Sequence, residues 1–218
     1  MGANTWRDFS EWPPPGLQTR RWHLQADRGL APATPAASDS EPDRYRYDPA
    51  NPTPSLGGAL LTREAGPRDN RALESRPDVL TYTSAPLEKD LEIIGPVQAE
   101  LFVRSRLPHT DFFARLCDVE PSGKSVNLCD GLLRLVPGQP ASEPDGTLRI
   151  TLDLWPTAHR FLAGHRIRLQ VSSGAHPRFA RNPGTGDPLG TATTLAAADQ
   201  AIFHDPSHPS ALLLPVMG

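Results

Sequence analysis

Several absences narrow the reading of this chain at once. No apolar run approaches the ~18 residues that a membrane-crossing helix needs, and the polar, tryptophan-containing, proline-rich start from Met1 to Leu17 is not the pattern of a secretory leader. Membrane insertion and export are therefore not expected, and the location implied is cytoplasmic. Charge of one sign is missing too: 22 Lys and Arg against 25 Asp and Glu give a formal net charge of -3, with the basic residues scattered, which leaves no nucleic-acid or acidic-membrane footprint. Only two cysteines are present, too few for a Cys-rich zinc site. A Gly-x-Ser-x-Gly elbow, which would announce a serine hydrolase, does not occur. No stretch reads as a convincing amphipathic helix.

Proline and glycine are plentiful, at 25 and 17, and hydrophobic content is 38%, a composition of turns and extended segments. Val97-Gln98-Ala99-Glu100-Leu101-Phe102-Val103-Arg104 puts Val97, Ala99, Leu101 and Val103 on one face, with Phe102 breaking the alternation. Phe112, Ala114 and Leu116 share a face in the next strand, and Pro121-Ser122-Gly123-Lys124 turns the chain back towards Val126 to Val136. Leu148, Ile150, Leu152 and Leu154, and likewise Ile167, Leu169 and Val171, alternate with polar residues, as half-buried antiparallel strands with one solvated face do. Shorter strands are expected at Arg20 to Leu24, Asp43 to Tyr47, Val79 to Thr83, Leu91 to Ile94 (stopped by Gly95-Pro96), Ala201 to His204 and Ala211 to Pro215. Pro67 to Pro77 reads as a polar surface loop, and Ala31 to Asp43 as a mobile low-complexity loop. About ten strands predict an all-β protein with a single core, a two-sheet jelly-roll β-sandwich.

Candidate chemistry is sparse. Ser122, Ser172 and Ser173 read as turn residues before nucleophiles. His204 and His208 have helical spacing, but Asp205-Pro206 and Pro209 prevent a helix, so no metal site or cofactor is expected. Asp111, Asp118 and Asp130 lack the Asp-x-Asp-x-Asp-Gly spacing of a calcium loop and read as solvated strand-end acids. Cys117 and Cys129 fall almost symmetrically about Gly123, facing each other as reduced thiols or as a cross-strand disulfide, with reduced thiols favoured by the expected compartment. Arg44, Tyr45, Arg46 and Tyr47 read first as a sandwich edge and second as a sugar-binding strip. Trp6, Trp12, Trp22 and Trp155 read first as core or interface and second as a ligand platform.

The order of short motifs carries more. Asn4-Thr5-Trp6-Arg7 with Glu11-Trp12-Pro13, Tyr45-Arg46-Tyr47-Asp48-Pro49, Gly57-Gly58, Pro77-Asp78-Val79, Asn127-Leu128-Cys129-Asp130-Gly131, Gly164-His165-Arg166 and Pro177-Arg178-Phe179 follow one another along the chain. That series resembles the second half of the CocE/NonD-type acyl hydrolases, which include cocaine esterases and are similar to X-prolyl dipeptidyl aminopeptidases. The resemblance implies a jelly-roll C-terminal domain of galactose-binding-like topology without catalytic residues. It implies as partner an α/β-hydrolase domain that carries the Ser-His-Asp triad and lies outside this sequence. Residues 1–20 would be the tail of that domain plus a docking segment, with 21–218 the jelly roll, and Met1 would stand where such enzymes have an internal residue, as in a truncated gene. The resemblance implies that this domain walls part of the active-site cleft. Leu60 and Leu61, after the Gly57-Gly58 pair, are the candidates for lining an acyl pocket, and Trp6 and Trp12 with Pro13-Pro14-Pro15 are the candidates for docking. An isolated chain is expected to expose an apolar patch there and to self-associate. A free-standing carbohydrate-binding module is the alternative reading.

Overall fold

A computed structural model describes residues 1–36 and 40–218. The strands run β1 (Leu17–Leu24), β2 (Gly29–Ala31), β3 (Asp43–Tyr47), β4 (Leu80–Ser84), β5 (Leu91–Ser105) and β6 (Thr110–Val119), followed by β7 (Ser125–Leu135), β8 (Leu148–Phe161), β9 (Arg166–Ser172), β10 (Ala198–Phe203) and β11 (Ala211–Met217). A single helical turn, α1 (Arg71–Glu74), and a short 3-10 turn at Ala26–Arg28 are the helical elements among the described residues. None is long and apolar enough to cross a membrane.

The strands form the expected all-β sandwich. One layer runs β8-β5-β11-β1, with β10 and β3 continuing from the far end of β5; the other runs β4-β9-β6-β7. β2 links the layers, antiparallel to β1 and parallel to β4. The alternating residues meet in one core: Val97, Ala99, Leu101 and Val103 of β5 and Ile150, Leu152 and Leu154 of β8 join Phe112, Ala114 and Leu116 of β6 and Ile167, Leu169 and Val171 of β9. Burying each Val, Leu, Ile or Phe side chain among them contributes about 1.5–3 kcal/mol against leaving it in water.

Four expectations change. Gly95-Pro96 does not end a strand; β5 runs through it from Leu91 to Ser105. Gly95 sits at φ 137, where a Cβ would lie 3.1 Å from Pro215, and the register shifts between Pro96 and Gln98, so a bulge absorbs what would otherwise stop the ladder. β8 extends seven residues further than the alternating run suggested, to Phe161, on the partner side of the same bulge. β1 begins at Leu17, so the sandwich takes up residues assigned to the docking segment. The face of β9 expected to be solvated is largely covered, with Gln170 buried and Arg166 and Arg168 half-buried, and the neighbouring β6 is buried throughout. The segment taken for a free surface loop lies over it. Glu74 of α1 accepts hydrogen bonds from Arg168 at 2.6 Å, Gln170 at 2.8 Å and Ser125 at 2.6 Å. Its own polar groups thereby satisfy those of the strands beneath.

β3 packs Tyr45 and Tyr47 inwards and leaves Arg44 and Arg46 wet, as an edge strand should. Of the low-complexity loop, residues 37–39 lie outside the described residues. Cys117 and Cys129 are both free. Cys129 pairs with Leu116 and Cys117 with Asn127, across a register shift, so the two thiols are not opposite one another in the ladder.

Candidate functional site

The carboxylates read as solvated strand-end acids are instead buried anchors. Asp111 takes both nitrogens of an Arg134 fork, at 2.8 and 2.7 Å; Asp118 holds His159 and His165; Asp130 holds Arg115 and Arg178. Arginine partners for Asp111 and Asp130 and imidazole hydrogen bonds for Asp118 make burial of each tolerable, and calcium is not needed to explain them. Among the described residues no three His, Cys, Asp or Glu side chains are placed so that together they could hold a metal ion. Ser173 is buried and shares a 2.8 Å hydrogen bond with the Tyr45 hydroxyl, while Ser172 donates to the Gly174 carbonyl, so both serve structure. Burial pushes the Tyr45 phenol well above its ordinary range. With Tyr45 and Tyr47 inside, the strip proposed for sugar stacking has no aromatic face to offer.

The surface feature that stands out is apolar and lies at the N-terminal segment. Trp6 is 99% exposed and Trp12 58% exposed, with Phe9 and Met1 also exposed. The segment is nevertheless held. The Met1 amino group donates to the Ala158 carbonyl at 2.8 Å, the Arg160 amide donates to the Met1 carbonyl at 3.2 Å, and Arg7 pairs with Glu92. Gly2 is required there, because a Cβ would lie 2.1 Å from the Arg160 carbonyl oxygen. The chain thus lies along the β8 edge while its indoles point to water. A cavity of about 950 Å³ separates the segment from Ile94 and His159 below it.

Met1 also lines a second cavity of about 420 Å³, whose walls include Trp155, Pro156, Leu128, Gly58 and Arg178. Trp155 sits in the β5–β8 bulge at φ 71 and is 70% exposed. A tryptophan in the left-handed region, its ring in solvent, costs stability without a packing return in this chain. By sequence it reads with the other tryptophans as core or interface first and ligand platform second, without being placed beside Trp6 and Trp12. Its signal was the Trp155-Pro156 pair at the end of a strict alternation, where a bulge re-aims a side chain.

Leu60 and Leu61 lie on a loop beside that second cavity. Gly58 and Gly66 exchange backbone hydrogen bonds at 2.8 and 2.9 Å, closing a neck from which the loop projects. Leu61 is fully exposed and Leu60 half-buried, so neither belongs to the sandwich core. The glycine pair makes its close approach to this chain itself, not to another surface: a Cβ on Gly57 would fall 2.6 Å from the Gly66 carbonyl oxygen and 2.7 Å from Asn127 Oδ1. The structure therefore brings Trp6, Trp12, Trp155 and Met1 around two cavities that share a wall, with the Leu60-Leu61 loop next to the smaller one. Such a surface can bind another body, but among the described residues no nucleophile is placed against a base on it.

Comparison with known proteins places these features in a lineage. Residues 1–213 match the family described as the X-Pro dipeptidyl-peptidase C-terminal non-catalytic domain. The cocaine esterase of Rhodococcus sp. (strain MB1 Bresler) is 36% identical over 233 residues, covering 100% of this chain and 41% of the esterase. A putative serine esterase of Mycobacterium bovis is 30% identical over 248 residues, covering 100% of this chain and 36% of that protein. Among solved structures, an aminopeptidase from a marine sediment Thaumarchaeota archaeon superposes with a TM-score of 0.85 at 28% identity, covering 100% of this chain and 39% of that one. An α-amino acid ester hydrolase superposes with a TM-score of 0.86 at 26% identity, covering 99% and 40%. The chain thus spans about two-fifths of the length of the relatives it matches.

Proposed function

The chain belongs to the family of X-Pro dipeptidyl-peptidase C-terminal non-catalytic domains, and from that premise we propose that it is the accessory jelly roll, galactose-binding-like in topology, of a serine acyl hydrolase. It docks on an α/β-hydrolase domain, stabilises that domain and forms part of the wall of its substrate cleft. The reaction served is hydrolysis of an ester or an X-prolyl peptide by serine attack, with every triad residue supplied by the partner domain. The observation that carries this reading is the apolar face of Met1, Trp6, Trp12 and Trp155. Indoles this exposed are uncommon on a free monomer and usual on a surface that another domain covers. Left uncovered, the same face drives self-association.

The test is hydrolysis of p-nitrophenyl acetate and of Ala-Pro-p-nitroanilide by the purified chain, with and without the matching hydrolase domain in trans. The expected result is no turnover by the chain alone, and turnover or a raised melting temperature of the hydrolase domain on mixing. Saturable turnover by the chain alone, blocked by a serine-directed inhibitor, would sink the reading.

A further inference from the structure

Three sequence motifs far apart in the chain converge at the neck of the Leu60-Leu61 loop, and the accessory role described above uses none of them. They are Gly57-Gly58, Asn127-Leu128-Cys129-Asp130 and Pro177-Arg178. Asn127 of β7 is buried and uses both its amide oxygen and its amide nitrogen on this neck. Its Oδ1 accepts from the Arg68 amide at 2.8 Å and from Asn70 Nδ2 at 3.1 Å, and its Nδ2 donates to the Gly66 carbonyl at 3.2 Å. Asn70 in turn accepts from Arg115 Nη1 at 2.8 Å, and Arg115 donates Nε and Nη2 to Asp130 Oδ2 at 3.1 and 2.9 Å. The other Asp130 oxygen takes Arg178. Asp130 and Arg178 form the floor under Gly58, at 3.0 and 3.2 Å from where a Cβ would stand. Gly57 and Gly58 both have positive φ, 64 and 78. The neck therefore fits only a glycine backbone lying on a fixed polar bed.

We propose that Asn127 and the Arg115–Asp130–Arg178 cluster are positioning residues that fix the height and direction of the Leu60-Leu61 tip, and through it the acyl selectivity of the assembled hydrolase. The proposal rests on the reading that this tip reaches the substrate cleft. A buried polar network suits this task. Its members are mutually satisfied, so shifting the neck by an ångström breaks several hydrogen bonds together. An apolar packing would tolerate a gradual slide. The tip beyond the neck is exposed, with Arg63 and Glu64 in water. A turn at Thr62, with the Glu64 amide on its hydroxyl at 3.2 Å and the Ala65 amide on its carbonyl at 3.1 Å, and Arg68 on the Arg63 carbonyl give it local shape, while its height and direction over the sandwich are set at its base.

The test reads the loop and the reaction separately. In Asn127→Ala and in Gly57→Ala, whose added Cβ would push against Asn127 and Gly66, trypsin cleavage after Arg63 should accelerate about tenfold, as expected when one or two hydrogen bonds holding the neck are lost. Cleavage after Arg106, exposed in the β5–β6 turn, is the internal control for global unfolding and should not change. Arg178→Gln should behave alike, with Arg178→Lys closer to wild type because it keeps the charge on Asp130. With the hydrolase domain present, the same variants should change the ratio of kcat/KM for p-nitrophenyl butyrate over acetate at least threefold. Arg63 cleavage that stays at the wild-type rate in both Asn127→Ala and Gly57→Ala overturns the proposal. Faster cleavage with an unchanged ratio overturns the selectivity role and places the failure in the reading that puts the tip at the cleft, since the clamp itself would have opened.

Discussion

Asp118 on β6 reaches across the sandwich to His159 on β8, with Oδ2 and Nε2 2.9 Å apart and both side chains buried. The second Asp118 oxygen meets His165 Nδ1 at 2.8 Å, so one carboxylate ties the two layers to the turn that joins β8 to β9. His159 Nδ1 is buried with no partner, which leaves Asp118 as the only polar support that imidazole has among the described residues. Asp118→Ala strands two ring nitrogens and should lower unfolding stability by about 3 kcal/mol, from about 1–3 kcal/mol for each unsatisfied buried group. Asp118→Asn, which keeps one acceptor, should lose about half as much. Urea unfolding of both variants decides it; a loss under about 0.5 kcal/mol in Asp118→Ala would show that water already serves those nitrogens.

Arg115 is fully buried, and its guanidinium is divided between Asp130 and Asn70. Arg115→Met keeps the length and removes the charge, leaving Asp130 with Arg178 alone and Asn70 Oδ1 without a donor. Breaking a buried pair from one side costs about 3–5 kcal/mol, and the remaining Arg178 contact puts the expected loss near the lower end. The unfolding midpoint measures it, and a variant as stable as wild type would mean that the cluster does not fasten the covering loops to β6 and β7.

The core was legible in the sequence because its strands obey a period of two: Val97 to Val103, Ile150 to Leu154 and Ile167 to Val171 are buried as the alternation required. Legibility failed where one strand carries a bulge or where a segment without periodicity covers a sheet. Gly95-Pro96 looks like a stop only if glycine and proline are taken alone; beside Pro215 they form a bend within a ladder. Arg115 and Gln170 look solvated because alternation reports two faces and is silent on what lies over the second. Asp111, Asp118 and Asp130 were misread for the same reason, since their arginine and histidine partners come from other strands and loops. Of the candidate surface, Trp6 and Trp12 could be assigned to docking from position and composition, whereas Trp155 could be named only as core, interface or platform, because its exposure beside them depends on a left-handed φ within a bulge.

His23 and Glu100 give the stability a defined acid limb. Burial holds the His23 pKa below its usual value of 6.5, with Arg21 adding to the lowering, against the raising effects of a hydrogen bond to Pro209 and of Glu100. The unfolded chain therefore takes up this proton first, and stability should begin to fall as pH drops below about 6.5. For Glu100, desolvation raises the pKa, but hydrogen bonds and charge from Arg21 and Arg149 outweigh it and leave the carboxyl below its usual range. Its contribution is present above the unfolded value and is lost as pH falls through the lower folded one, a second and more acid step. His23→Gln should flatten the upper step and leave the lower one in urea midpoints taken from pH 7.5 to 3.5. An unchanged upper step would assign it to another group.

Burial raises the Cys117 thiol to about 12 and the Cys129 thiol higher still, so neither forms thiolate near neutrality. Native protein at pH 8 should release no colour from a disulfide-exchange reagent over an hour, and both thiols should react once urea is added. Rapid labelling of Cys129 in the native state would indicate that β7 opens beside the smaller cavity.

Trp155 joins stability to function by a single dihedral. At φ 71 a side-chain-bearing residue loses about 1–2 kcal/mol that glycine does not, and a ring 70% exposed recovers little of it by packing. Trp155→Gly should therefore stabilise the isolated chain by about 1 kcal/mol, partly offset by the greater freedom glycine brings to the unfolded state. If the apolar face is a docking surface, the same substitution should weaken association with the hydrolase domain at least tenfold, since a tryptophan held outward at a conformational cost is what a partner's pocket would use. Chemical unfolding reads the first effect and titration calorimetry the second. A variant that gains stability and binds as before would leave the strain unexplained by docking; one that loses stability would show that the ring packs in solution against Pro156 and the N-terminal segment.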